Sequence, residues 1–402
     1  MAKSRSKKKN IRLSKELIIA LVVIVLIIAI VMAAIYFIRP DIFSLIISAI
    51  TGNGRGQGGD IPTNEILGDR LEVHFIDVGQ GDSIVIKFPD GKAMMIDAGG
   101  RYNTGHVDEG KKVKDEIIAY VKDVAKISVF DAVLLTHSDA DHSDYVDDVI
   151  ETFEVKKIFL PDYDGEIDGE GGSIPTKTFN DVVVAANKET YTDSDGNTRK
   201  AEVIKNVDTV NNISGNGYSM ISYCRSAEYY DTVKKSSAQA LNSVSPISVL
   251  TYGNRSVVFT GDAEGKGKND TEHWFIDKKI DIDCDVLKVG HHGSESGTSA
   301  DFLNYIDPEF AVISAGTGNS YGHPTPSTLD RLAAYRDAIP DGDYDGIKEI
   351  YRTDNDGDVV LTIGENGGMD FRTSRGEKSR VEVQFETERI IFWIDRRFPQ
   401  AA

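Results

Sequence analysis

The sequence predicts a mixed α/β sandwich, and three observations lead there. Short apolar runs of strand length alternate with helical segments from residue 71 to residue 363. Several of these runs end in an acid or a histidine, which is where open α/β architectures gather their ligands. Hydrophobic residues make up 40% of the 402, enough for a proper core and against wholesale disorder.

The elements follow in order. Residues 1–15 are a basic segment expected in the cytoplasm, and residues 16–38 a retained signal anchor. The stretch 17–38 is apolar and uncharged, about the ~20 residues a membrane-spanning helix needs. It is longer than the h-region of a cleaved signal. The basic residues before it keep that end inside, so the rest of the chain is expected outside a bacterial membrane, single-pass. Residues 39–69 form a linker, with an apolar run at 42–50 too short to span and a glycine-rich tether at 51–59. Strands are expected at 71–76, 83–88 and 93–96, a helix at 111–124, then a strand at 132–135. A second helix follows His142, with a strand at 157–160. The Gly/Asp/Asn-rich stretches 162–173 and 192–217 read as loops. Further strands are expected at 219–224, 247–252, 256–260, 286–289, 311–314 and 359–363. A globular domain is thus expected over 70–366. Residues 367–402 form a C-terminal extension with an alternating run (Val381, Val383, Phe385) and an apolar patch at 390–394.

The formal charge of -19 is unevenly spread. Residues 1–39 hold eight basic residues against Glu16, or +7, which leaves -26 (-19 minus 7) on the remainder. A protein that grips nucleic acid by its phosphates needs a basic face, and this balance weighs against one. Cys224 and Cys284 are the only cysteines, so there is neither a disulfide framework nor a cysteine zinc site. Cys284 opens an apolar run and reads as a small buried hydrophobe.

The densest chemical signal is Leu134-Leu-Thr-His-Ser-Asp-Ala-Asp-His142. It places His137, Asp139, Asp141 and His142 where a buried strand ends. Imidazole and carboxylate at this spacing can hold two divalent cations; the bland alternative is a polar turn. The same ending recurs at Asp97-Ala-Gly-Gly100, Gly261-Asp-Ala263 and Gly290-His-His-Gly293. Four such ends fit one site better than four unrelated turns.

On these motifs residues 71 to about 364 resemble a metallo-β-lactamase-fold hydrolase. More narrowly they resemble the hydrolase domain of the competence DNA-uptake channel family, ComEC. The matching signatures are Phe75-Ile-Asp-Val-Gly-Gln-Gly-Asp-Ser83, Ile96-Asp-Ala-Gly99, Thr136-His-Ser-Asp-Ala-Asp-His142, Asn242-Ser-Val-Ser245 and Thr260-Gly-Asp-Ala263. Leu287-Lys-Val-Gly-His-His-Gly-Ser294, Tyr321-Gly-His-Pro-Thr-Pro-Ser327 and Arg352-Thr-Asp354 complete the set.

The resemblance implies a four-layer αβ/βα sandwich with a two-metal site at one edge. His137 and Asp139 would bind one ion, Asp141 and His142 the other, and Asp262 would bridge them. One of His291 and His292 would complete a shell. Asp139 stands where many relatives have histidine, which makes the site harder and manganese plausible beside zinc. The interval from His142 to Asp262 holds no histidine, which speaks against a lactam-cleaving enzyme. No nucleotide cofactor is expected.

Asp141 is expected to help shuttle a proton, and His323 to protonate a leaving group or orient substrate. Asp77, Gln80 and Asp82 lie in a Gly-rich turn that either faces the metals or is structural. Asp97 reads as an acceptor for a ligand histidine. Asn242 and Ser245 line the pocket or cap a turn, His74 is structural, and His106 and His273 are solvated.

The expected function is a membrane-anchored, metal-dependent hydrolase acting on phosphodiesters. DNA is the first substrate class, and small or wall-linked phosphoesters of the phosphorylcholine type the second. A tethered, non-catalytic binding module is the third reading. A single span excludes DNA transport by this chain alone.

Overall fold

The computed structural model describes residues 63–102, 109–163, 176–225, 241–266, 270–337, 346–375 and 382–383. The expected anchor at 16–38, the tether, His106 and the patch at 390–394 lie outside them. Among the described residues no helix is long and apolar enough to cross a membrane.

One sheet has nine strands. Its antiparallel part runs from β1 (Arg70–Phe75) through β2 (Ser83–Lys87) to β3 (Ala93–Ala98). From β3 it continues in parallel through β5 (Ala132–Leu134), β7 (Lys157–Pro161) and β10 (Glu202–Asn206). On the other side of β1 stand β18 (Val359–Gly364), β19 (Met369–Thr373) and β20 (Glu382–Val383). Two small ladders pair β4 (Val129–Phe130) with β6 (Glu154–Val155), and β8 (Thr190–Thr192) with β9 (Thr198–Lys200).

The second sheet has seven strands in chain order. They are β11 (Thr209–Gly215), β12 (Tyr218–Tyr223), β13 (Ile247–Tyr252), β14 (Arg255–Phe259), β15 (Val286–Lys288), β16 (Phe310–Ile313) and β17 (Glu349–Arg352). Its last four are parallel.

The helices are α1 (Glu109–Ala119), α2 (Ala140–Ser143), α3 (Val146–Thr152), α4 (Lys177–Lys188), α5 (Thr271–Asp277), α6 (Ala300–Ile306), α7 (Pro326–Asp337) and α8 (Thr353–Asp356).

The period-two alternation of the strands sorts their side chains into three cores, and the cores define the layers. Ile84, Ile96, Leu134 and Phe75 of the first sheet meet Val257, Phe259, Val286 and Tyr351 of the second in a central core. The Phe75 and Phe259 rings lie 6.2 Å apart. Val85, Met95, Val133 and Ile158 point the other way, onto Val113 and Ile117 of α1, Val149 of α3 and Val182 of α4. Val258, Leu287 and Ala311 point outward from the second sheet onto Phe275 of α5, Phe302 of α6 and Leu332 of α7. The result is helix, sheet, sheet, helix: the four-layer sandwich the resemblance implied. Each fully buried aliphatic or aromatic side chain contributes roughly 1.5–3 kcal/mol, so all three cores contribute to stability.

Three expectations need correction. The stretch 192–217 is not a loop: it holds β9, β10 and β11. Its polar composition is overridden because β10 pairs with β7 and β11 with β12, and strand preference follows partners more than residue type. The helix expected at 111–124 ends at Ala119 and continues as a π-turn, Tyr120–Val124. The sheet also runs past residue 366, since β19 pairs with β18 along Val359–Thr373 to Ile363–Met369. The amphipathic α4, which buries Phe179, Val182 and Val183, was not foreseen. Cys284 is buried in the outer core, as expected.

Candidate metal centre

The carboxyl ends of β3, β5, β14 and β15 deliver their polar side chains to one edge of the sandwich. After β5 the chain turns at Asp139 into α2, and the amides of His142 and Ser143 both donate to the Asp139 carbonyl. This single turn folds His142 back against His137, with ring centroids 4.2 Å apart. The loop is docked from behind by Asp82, whose amide donates to the Asp141 carbonyl, and by Ala98, whose carbonyl accepts from Tyr145.

Hydrogen bonds on the outer nitrogens settle which nitrogen each imidazole presents inward. His142 Nδ1 lies 2.7 Å from Asp97 Oδ2. His292 Nδ1 donates to the Ser314 carbonyl at 2.9 Å. His137 Nδ1 lies 3.1 Å from the Thr136 hydroxyl, which itself donates to Asp97. With Nδ1 committed, Nε2 of each ring faces inward and offers its lone pair whenever the ring is neutral. His142 Nε2 and His292 Nε2 then face each other at 3.1 Å. Two facing acceptors at this distance need a cation or a proton between them.

Asp262 lies at the centre, 2% exposed. Its Oδ1 is 3.1 Å from His142 Nε2 and 3.6 Å from His292 Nε2, and its Oδ2 is 3.8 Å from His137 Nε2. Asp139 Oδ2 joins the His137 side at 3.8 Å, and Asp141 Oδ2 the His292 side at 3.4 Å. One oxygen of Asp262 therefore serves each half, the arrangement a bridging carboxylate requires. Of the two vicinal histidines, His292 enters the buried half. His291 stays at the rim with Nε2 3.6 Å from Asp262 Oδ2 and Nδ1 3.3 Å from Glu264. His137 Nε2 and Asp262 Oδ1 are buried and find no hydrogen-bond partner. Orphaned inward-facing donors of this kind fit divalent ions, and the residues present fit a dinuclear centre.

The electrostatics agree. Burial, reinforced by His142, pushes His137 well below the usual histidine range, so the ring is neutral, as a metal ligand must be. Burial, with Asp141 and Asp262 beside it, pushes Asp139 up to about 7. Burial favours the neutral form of His142, but Asp262 and Asp97 outweigh it and hold its pKa well above the ordinary value. The cluster carries more carboxylate than its histidines balance, the condition a bound cation relieves.

Backbone strain collects here. Asp97, His291 and His292 all adopt left-handed φ values of 54°, 47° and 52°. Such residues cost about 1–3 kcal/mol each and persist where the surroundings hold them for a task.

The site opens into a cleft of about 320 Å³. Asp139, Asp141, Asp262, Glu264 and Glu295 line it, and no lysine or arginine does among the described residues. His323 also lines it, its ring 5.4 Å from His291 and 5.7 Å from Tyr321. Burial and the His291 and His292 rings lower His323 to about 4. At neutral pH it is therefore uncharged, suited to orienting a group rather than to delivering a proton as an acid. Asn242 lines the cleft, while Ser245 braces the site, accepting from the Asp262 amide at 3.2 Å. Asp97 is the expected acceptor for His142. His74 is buried 3.1 Å from the Tyr120 hydroxyl, and His273 is paired with Asp270 and Asp301 on the surface.

Two features escaped sequence reasoning. Lys288 is fully buried and pairs with Asp82 at 2.6 Å. Asp82 thus lies behind the metal centre, against the Nδ1 edges of His142 and His292 at 3.9 and 3.6 Å. The available signal was a lysine inside the apolar run 286–289, which no exposed strand face explains. Glu264 was also missed, although it follows Asp262 by only two residues.

Residues 76–210 match the Metallo-beta-lactamase superfamily. The chain is 27% identical over 286 residues to ComE operon protein 3 of Bacillus subtilis, covering 70% of this chain and 33% of that protein. It is 34% identical over 127 residues to competence protein ComA of Neisseria gonorrhoeae, covering 31% and 16%. The chain thus spans a third or less of the length of these curated relatives. Among solved structures it is similar to the metallo-beta-lactamase fold protein YhfI of Bacillus subtilis. That likeness has a TM-score of 0.41 and 12% identity, covering 73% of this chain and 99% of the other.

Proposed function

From a chain that carries a metallo-beta-lactamase superfamily domain related to those of competence proteins, we propose a dinuclear metal-dependent phosphodiesterase. The observation that carries this reading is the facing pair of His142 and His292 Nε2 atoms at 3.1 Å, with both outer nitrogens already engaged. His137, Asp139 and one oxygen of Asp262 would hold one divalent ion, zinc or manganese. Asp141, His142, His292 and the other oxygen would hold the second. When bound, such a pair activates a water and neutralises charge on the departing oxygen.

The chain's own residues do the rest. Asp97 and the Ser314 carbonyl fix the tautomers of His142 and His292. Asp141 faces the cleft beside His292, where it would help shuttle a proton. His323, neutral, orients the substrate at the rim. The apolar stretch 17–38 is read as an anchor that holds this domain outside a bacterial membrane.

DNA is the substrate class favoured by the kinship with competence proteins. Small or wall-linked phosphoesters are the second reading, favoured by a cleft with five carboxylates and no lysine or arginine among the described residues. One metal-loaded preparation, given DNA and a small chromogenic diester side by side, separates them. A nuclease cleaves the polymer, with affinity falling steeply as salt rises because phosphate contacts release counterions. Turnover of the small diester without DNA nicking selects the second reading, and turnover of neither removes both. Protease added to intact cells is expected to digest the domain, given the basic cluster before an uncharged span. A protected domain would rule out the outward orientation.

A further inference from the structure

Gln80 is the residue the proposed chemistry leaves unused and the fold holds most firmly. It lines the cleft, yet only 2% of it is exposed. Its backbone is paired with Arg101 in both directions, at 2.8 and 2.9 Å. Its side-chain oxygen accepts from the Gly316 amide at 3.2 Å, across 236 residues of chain. That bond assigns the carboxamide: oxygen towards Gly316, nitrogen on the other side. The nitrogen, Nε2, is buried and has no hydrogen-bond partner.

The neighbours show how closely this position is built. A Cβ on Gly79 would lie 2.3 Å from the Arg101 carbonyl oxygen, and one on Gly316 would lie 2.5 Å from Gln80 N. Only glycine permits either approach, so two separate loops give up side chains to clamp the amide. Leaving a buried donor unsatisfied costs about 1–3 kcal/mol. A fold that fixes such a donor on the wall of a metal cleft gains by offering it to a ligand. The ligand's chemistry follows from the cleft. A phosphoryl oxygen carries negative charge and needs donors, and no lysine or arginine lines the cleft among the described residues. A neutral amide supplies a directed hydrogen bond there.

We propose that Gln80 is a catalytic residue whose Nε2 donates to a non-bridging oxygen of the substrate phosphoryl group; this rests on the phosphodiesterase reading. The test uses the full-length, metal-loaded chain and two variants. Gln80→Glu keeps the acceptor for the Gly316 amide but replaces the donor, and Gln80→Met removes both with similar volume. Both are expected to retain bound metal and lose about 10²–10³-fold in kcat, the usual cost of deleting one oxyanion donor.

Two further readings are independent of simple turnover loss. Replacing a non-bridging oxygen of the small diester by sulfur is expected to slow the wild type more than either variant, since the variants no longer grip that atom. Inorganic phosphate is expected to bind about tenfold more weakly to both variants, the worth of one hydrogen bond.

Wild-type kcat and an unchanged sulfur effect in both variants would overturn the role. Loss of metal in both would overturn it too, assigning Gln80 to holding the turn. If the wild type hydrolyses no phosphodiester, the functional reading fails. Phosphate affinity then decides separately for Gln80, and equal affinity in all three proteins refutes it.

Discussion

Asp262→Asn is expected to leave a folded chain that has lost most of its metal. Phosphodiester turnover should fall by more than the roughly 100-fold that loss of an outer-shell partner costs. The side chain is nearly isosteric, so packing at this 2%-exposed position is preserved. What changes is charge and one oxygen. Burial works against ionisation of Asp262, but His142, His292 and His291 outweigh it and hold the carboxyl well below its usual range. The acid is therefore the negative centre around which both halves of the site are arranged. An amide supplies one neutral oxygen and cannot serve two cations. Elemental analysis of protein purified without chelator, beside thermal unfolding, measures this. Full metal content with unchanged turnover would mean that Asp262 does not bridge.

The second large effect is on stability. Lys288→Met is expected to destabilise the protein by about 3–5 kcal/mol, the cost of stranding one partner of a buried ion pair. Lys288 is fully buried, Asp82 is 1% exposed, and they meet at 2.6 Å. Without the ammonium, Asp82 faces only the Nδ1 edges of His142 and His292, both already engaged with other acceptors. The double variant Lys288→Met with Asp82→Asn removes the stranded charge and should recover part of the loss. Denaturant unfolding of the four proteins closes the cycle. A single-variant loss below about 1 kcal/mol, the level of an exposed pair, would show that the two charges do not support each other.

Much of the fold was legible because strands announce themselves by period two. The runs at 83–88, 93–96 and 286–289 became β2, β3 and β15 with only end-residue differences. The polar residues of the candidate site were legible for a related reason. His137, Asp97, Asp262 and His292 each follow an apolar run by a few residues, and a chain leaving a buried strand must bring such side chains to the sheet edge. The polar strands β8 to β11 were not legible, since nothing in their composition separates a strand from a loop until a partner supplies the ladder.

By itself the sequence determined the positions of the apolar strands and the gathering of histidines and acids at strand ends, because burial alternation and turn chemistry are local properties. Only the tertiary structure decided that His292 rather than His291 enters the buried half, through two successive left-handed residues and the Ser314 carbonyl. It alone brought Lys288 to Asp82 and the Gly316 amide to Gln80. Those choices depend on which loops approach across the sandwich. The hydrogen bond that selects a tautomer or aims an amide comes from residues far away in the chain, whose position exists only once both sheets have packed.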